Sequence, residues 1–278
     1  MEALVSIVIP NHNYGRFVSD AVESALSQSY RPIEVIVVDN GSTDDSLARL
    51  EAFGDRIRLI AQPDLGQAGS RNRGILASAG EFVAFLDADD VWNPEKLAAQ
   101  MQLFSDPRIG LVYCSMSEAD ADLRPVAGRR AEHRGDVRSL MVGRVGHAVI
   151  VGGESTAVIR RSCFAEVGLF DPTLSISAGW DMYRRIVGRY EVDFVEEPLV
   201  TYRIHGSNQH LLTDAYYSEM VAIYRRLFDD PLWTEYRGRR RSVFARVAMM
   251  RAREMARRGR WVRSIGAVVE AGVRRVTG

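Results

Sequence analysis

Over the first hundred residues, short apolar runs alternate with stretches in which apolar side chains recur every three or four positions. Val5-Ser6-Ile7-Val8-Ile9-Pro10 is β-branched and ends in a turn signal, which predicts a strand; Phe17, Ala21, Val22, Ala25 and Leu26 then share one face of a helix over 17–28. Ile33 to Asp39 predicts a second strand, and Ser42-Thr43-Asp44-Asp45 opens a helix to Phe53, because short polar side chains satisfy the first amides of a helix. A strand over 57–61, a helix over 67–79 and a strand from Phe82 to Asp87 follow, and Asn93-Pro94-Glu95 starts a helix to Phe104. Apolar strands separated by helices require parallel pairing with both faces covered, so the expected class is α/β with a Rossmann-type, mostly parallel central sheet.

Beyond residue 110 the pattern loosens. Strands are expected over 111–115, 156–159, 192–195 and 199–204, helices over 136–142, 162–167 and 179–189, and a loop over 117–134; from Asp214 only helical patterns remain. The expected organisation is a first subdomain over 1–110, a second over 111–213 in the same domain, and a helical annex over 214–278.

Composition adds a charge asymmetry to this picture. The 36 basic and 36 acidic residues cancel, yet 15 arginines against 5 acids from Arg225 onward give that segment +10 and leave −10 before it. Such a basic annex, carrying Val243, Val247, Trp261, Val262 and Ile265 among its arginines, suits an anionic membrane surface or plain packing with solvated arginines. Nucleic acid is not the expected partner, since no groove-reading motif accompanies the charge. Cys114 and Cys163 sit in apolar runs without paired spacing, which predicts buried free thiols. The first residues lack a basic start and meet Pro10 early, and no run reaches the roughly 18 apolar residues of a spanning helix. The expectation is a cytoplasmic protein, with peripheral membrane contact through the annex as an open possibility.

Candidate chemistry gathers at predicted strand ends. Asp39 and Asp87 end their runs, and ligands of open α/β sheets bind at the carboxyl edge. In extended geometry Asp87 and Asp89 of Asp87-Ala88-Asp89-Asp90 share a side, and two such carboxylates suit Mg²⁺ or Mn²⁺; a turn with capping acids gives the same tripeptide.

Four segments occur in order: Ser6-Ile7-Val8-Ile9-Pro10-Asn11-His12-Asn13, Val37-Val38-Asp39-Asn40-Gly41-Ser42-Thr43-Asp44, Gly66-Gln67-Ala68-Gly69-Ser70-Arg71-Asn72-Arg73-Gly74 and Phe85-Leu86-Asp87-Ala88-Asp89-Asp90. Together they resemble the nucleotide-sugar domain of family 2 glycosyltransferases, which have the GT-A fold. The resemblance implies that Pro10, Asn11 and Asn13 line the nucleotide pocket and that Asp39 accepts from the base imide. It implies Arg71 near the donor sugar or phosphates, Asp87 at ribose and donor oxygens, and Asp89 on the metal. Each has a plainer reading: turn residues for Asn11 and Asn13, a cap beside Ser42 for Asp39, a solvated helix face for Arg71.

Two later segments extend the likeness. Tyr202-Arg203-Ile204-His205-Gly206-Ser207 resembles a motif whose histidine approaches the diphosphate or metal. Gly179-Trp180-Asp181-Met182-Tyr183-Arg184-Arg185-Ile186 resembles the acceptor-side segment, although Ala178 and Gly179 stand where an acid pair is expected. That leaves Asp181 as the candidate base, with Glu154 of Gly152-Gly153-Glu154-Ser155-Thr156 as a substitute; ion pairing of Asp181 with Arg184 or Arg185 is the alternative.

The expectation is an inverting, metal-dependent glycosyltransferase moving a sugar from a nucleotide diphosphate sugar, UDP-linked, to a hydroxyl of a glycan, glycolipid or other acceptor. A catalytically silent sugar-nucleotide-binding scaffold is the competing reading. A nucleotidyltransferase is weaker, since Pro10-Asn11-His12-Asn13-Tyr14-Gly15 is not a glycine-rich phosphate loop.

Overall fold

The computed structural model describes residues 2–206 and 214–257. The first half alternates as β1 (Val5–Asn11), α1 (Gly15–Leu26), β2 (Ile33–Asn40), α2 (Ser46–Glu51), β3 (Arg58–Gln62), α3 (Gly66–Ala77), β4 (Phe82–Phe85), β5 (Val91–Trp92) and α4 (Lys96–Met101). Then come β6 (Ile109–Ala119), β7 (Pro125–Arg129), α5 (Arg138–Gly143), β8 (Val158–Arg160), α6 (Ser162–Val167), α7 (Ala178–Val187), β9 (Glu191–Arg203), α8 (Asp214–Asp229) and α9 (Arg240–Arg257). The chain divides into two compact units, Met1–Asp136 with Ile150–Asn208, and Val137–Val149 with Gln209–Gly278.

The first unit is built on one sheet of order β3-β2-β1-β4-β8-β6-β9-β5, with β7 paired to β6. β1, β2, β3 and β4 pair in parallel, β8 is antiparallel to both β4 and β6, and β9 is parallel to β6. The sheet is therefore mostly parallel, with β5, β7 and β8 reversed. β1 is buried along its whole length, as a strand covered on both faces must be. Gly74 lets α3 lie close on β1, since a side chain there would collide with Val8. Lys96, the chain's one lysine, is fully buried with its ammonium 4.0 Å from the Trp92 ring centre, and burial lowers its pKa to about 8. Both cysteines are free and buried, and burial raises Cys114 to about 11.

Three local expectations are corrected. The predicted loop over 117–134 contains the end of β6 and all of β7; every residue of β7 is exposed, so it carries no apolar alternation. The two strands expected over 192–204 are one, β9, because shifts of register around Cys114 and Ser115 of β6 absorb the Glu196-Glu197-Pro198 interruption. The strand expected to reach Asp87 ends at Phe85, and a turn follows in which the Asp90 amide donates to the Asp87 carbonyl at 3.0 Å.

The second unit has its own core. Tyr217, Met220, Ile223, Tyr224, Leu227 and Phe228 of α8 and Val243 and Val247 of α9 are buried. The Tyr224 hydroxyl donates to the Met141 carbonyl at 3.1 Å, and Arg246 donates to the Gly143 carbonyl at 2.7 Å. Thus the apolar side of α9 is buried while Arg241, Arg246, Arg253 and Arg257 stay exposed. The expected stripe from Trp261 to Ile265 lies outside the described residues, and among the described residues no helix is long and apolar enough to cross a membrane.

Candidate active site

Parallel pairing places the carboxyl ends of β2, β1 and β4 side by side, and the candidate side chains follow those three tips. At β1 and β2 they form one network. Asn11 Nδ2 donates to Asp39 Oδ2 at 2.8 Å, and Asp39 also accepts from the Ser42 hydroxyl at 2.6 Å and the Ser42 amide at 3.1 Å. Asn13 adopts φ +57° and its Oδ1 accepts from the Thr43 amide at 2.7 Å, so a side chain that tolerates left-handed backbone also ties the two loops. Pro10 pairs in register with Val38 beneath them. Asn11 Oδ1 is buried and has no donor among the described residues, a cost of about 1–3 kcal/mol unless a ligand donates to it.

The β4 tip carries the second network. Arg71, 3% exposed on α3, donates to Asp87 Oδ1 at 2.8 Å and lies 3.2 Å from Glu154 Oε2. Asn72 fixes the helix by a paired exchange with the Phe170 backbone at 2.8 and 2.9 Å, which sets the Phe170 ring beside the Arg71 guanidinium. Burial opposes the Arg71 charge, but Glu154 and Asp87 outweigh it and hold the guanidinium protonated above its ordinary range. Glu154 is raised, first by burial and then by Asp87, with Arg71 opposing.

Asp89 turns elsewhere. Its Oδ2 lies 3.0 Å from His205 Nε2, the two side chains being 10% and 7% exposed. The pairing of Asp87 and Asp89 on one side of an extended strand is therefore corrected: the turn after Phe85 sends Asp87 to Arg71 and Asp89 to His205. Burial and the Asp87 charge raise the Asp89 pKa, and His205 opposes them. Asp90 is raised well above the carboxylate range by burial and by Asp89 and Asp87; it accepts from the Ser155 hydroxyl at 2.6 Å and the Arg203 amide at 3.1 Å.

A divalent cation is the group the sequence implies here, and the donor chemistry fits it. One carboxylate and one imidazole meet in an anionic turn, and Mg²⁺ or Mn²⁺ is commonly held by one or two side chains with phosphates and water completing the shell. No group of three or more His, Cys, Asp or Glu suited to a metal exists among the described residues, so ligand oxygens would have to supply the remaining positions.

Asp181 is not brought to either network. Its oxygens lie 3.2 Å from Arg184 and 2.8 Å from Arg185, and its side chain is 2% exposed. Sequence reasoning missed Arg203, Asp90 and Ser155. Arg203 Nε donates to the Asp89 carbonyl at 2.9 Å and Nη2 to Asp20 at 2.9 Å, clamping the acidic turn; its place two residues before His205 was the one signal available.

Residues 6–168 match glycosyl transferase family 2. An uncharacterized glycosyltransferase of Nostoc sp. is 32% identical over 225 residues, covering 78% of this chain and 70% of that protein. The chain spans between 70% and 33% of the length of curated glycosyltransferase relatives that it matches. Among solved structures, S. aureus TarS 1-349 in complex with UDP-GlcNAc superposes with a TM-score of 0.70 at 16% identity, over 96% of this chain and 81% of TarS 1-349. The mannosyltransferase PcManGT of Pyrobaculum calidifontis, in complex with GDP-Man and Mn²⁺, gives 0.65 at 17% identity, over 98% of this chain and 76% of that one. With the sheet order, the acidic turn and the family match in agreement, the chain belongs to glycosyl transferase family 2 and is a glycosyltransferase on a GT-A-type scaffold.

Proposed function

We propose that the chain moves a sugar from a UDP-sugar to an acceptor hydroxyl, with inversion at the anomeric carbon and with Mn²⁺ or Mg²⁺ as cofactor, in the synthesis of cell-surface polysaccharide or glycoconjugate. The observation that carries this reading is the adjacency of two polar networks at the tips of parallel strands, one joining Asn11 and Asp39 and one gathering Asp87, Asp89 and Asp90. Asn11, Asn13 and Asp39 with Pro10 form the base pocket, where the undonated Asn11 Oδ1 and the Asp39 carboxylate suit an imide N–H. Arg71 holds Asp87 so that its carboxylate accepts from ribose and donor hydroxyls. Asp89 and His205 would hold the cation, which when bound neutralises charge growing on the departing diphosphate. The UDP-GlcNAc complex of TarS and the Mn²⁺ complex of PcManGT support donor class and metal by likeness of fold.

UDP release measured over UDP-GlcNAc, UDP-glucose, UDP-galactose and GDP-mannose tests the reading. A UDP-linked donor should turn over, stop with EDTA and recover with Mn²⁺. Metal-dependent UDP binding without turnover of any donor would establish the silent scaffold instead, and turnover confined to GDP-mannose would overturn the uridine assignment.

Peripheral contact with an anionic membrane is the second part of the proposal, supported by exposed Arg237, Arg239, Arg240, Arg241, Arg246 and Arg253. Cosedimentation with phosphatidylglycerol vesicles is expected at about 50 mM salt and its loss at about 500 mM, where the screening length falls below about 5 Å. Protein that stays in the supernatant at low salt would remove the membrane from the picture.

A further inference from the structure

Transfer to a hydroxyl needs a proton acceptor beside the attacking oxygen, and the acids of the site differ in how far they are already committed. Asp181 is sealed between two arginines, Asp90 accepts from Ser155 and the Arg203 amide, and Asp89 faces His205. Glu154 pairs with Arg71 through Oε2 at 3.2 Å, accepts from its own backbone amide, and keeps its side chain 12% exposed.

The position of Oε1 has a specific cause. A Cβ built on Gly179 would fall on Glu154 Oε1, inside any nonbonded distance, and 2.6 Å from its Cδ. A side chain at position 179 would therefore force the Glu154 carboxylate to move, and Glu154 stands in the space at the head of α7 that Gly179 leaves open. Three further features hold it there. Gly152 and Gly153 adopt φ of +80° and +60°, which only glycine does without strain, and so aim the Glu154–Thr156 turn at α7. The Tyr183 hydroxyl of α7 donates to the Gly153 carbonyl at 3.0 Å. Ser155 ties the same turn to the acidic loop, accepting from the Asp87 amide at 3.1 Å and donating to Asp90.

We propose that Glu154 is the proton acceptor of the transfer reaction, its carboxylate installed through the vacancy at Gly179; this rests on the donor reading above. As the acceptor oxygen forms its bond to the anomeric carbon, the bond from that carbon to the β-phosphate oxygen breaks and its electron pair leaves with UDP. The acceptor's proton passes to Glu154 Oε1. Arg71, Asp87 and Tyr183 are the titratable groups facing this carboxyl. Its upward shift, caused first by burial, makes it a better proton acceptor than a solvated glutamate.

Water serves as the acceptor in the test, so no acceptor need be identified: UDP release is followed with whichever UDP-sugar the wild type hydrolyses, and UDP affinity is read by calorimetry as a check on folding. Glu154→Gln should lower turnover about 100-fold with UDP affinity kept. Gly179→Ala leaves every charge in place and should also lower turnover, since its methyl displaces the carboxylate. The double variant should be no slower than Glu154→Gln, as expected of two changes acting on one group. Glu154→Ala with Gly179→Asp returns a carboxylate to the same space from the other side and should recover at least about tenfold over Glu154→Ala alone. Turnover by Glu154→Gln within about threefold of wild type would overturn the assignment and return the base role to Asp181. Failure of the wild type to release UDP from any donor would sink the donor reading itself.

Discussion

Asp89→Ala should reduce metal-stimulated UDP release by about 1000-fold, the upper range for removing a group that stabilises departing charge, while the melting temperature stays within about 3 °C. The two halves of this expectation have one source. Asp89 is buried beside the Asp87 charge, so its ionised form is disfavoured in the folded chain and its carboxylate adds little stability at neutral pH. A group kept charged against that penalty is useful only when a cation or a donor arrives. The variant should also lose the Mn²⁺ dependence of UDP binding, which calorimetry with and without Mn²⁺ would read. Unchanged turnover in Asp89→Ala would remove this residue, and with it the cation site, from the proposal.

Arg71→Ala should have the largest effect on stability. It strips the counterion from Asp87 and Glu154 in a setting where Arg71 itself is 3% exposed, and breaking a buried pair by removing one partner costs about 3–5 kcal/mol. The pH dependence has a defined sign. Glu154 is already raised by burial, and without Arg71 the largest opposing influence is gone, so the folded variant binds this proton more tightly than the unfolded chain. Its stability therefore rises as pH falls, and the deficit against wild type should be smaller at about pH 5.5 than at about pH 8 in urea unfolding. A deficit independent of pH would show that Glu154 does not depend on Arg71 for its charge.

The apolar runs made the strands around β1 legible, and Ser162–Val167 is the helix expected. Sequence pattern failed where tertiary contacts override it. β7 is exposed throughout, and β9 runs through two glutamates and a proline by shifting register on its neighbour. At the site, Asp39 and the acidic turn could be named from position alone, but their partners could not. His205 lies 116 residues from Asp89, and only the resemblance joined them. Glu154 could be named as a substitute base because Ala178 and Gly179 lack the expected acids, but that its carboxylate occupies the space beside Gly179 is a tertiary contact across 25 residues that no local pattern carries. The ion pairs of Asp181 were legible from i+3 and i+4 spacing, and their burial is what the spacing could not give.

Lys96 has a consequence for the whole surface. With that amine enclosed against Trp92 and no other lysine in the sequence, every side-chain cation the folded chain shows to solvent is a guanidinium or an imidazole. Enzymes that acylate lysine find no side-chain substrate here, and the arginine charge of the exterior cannot be erased by acetylation or by mild alkali.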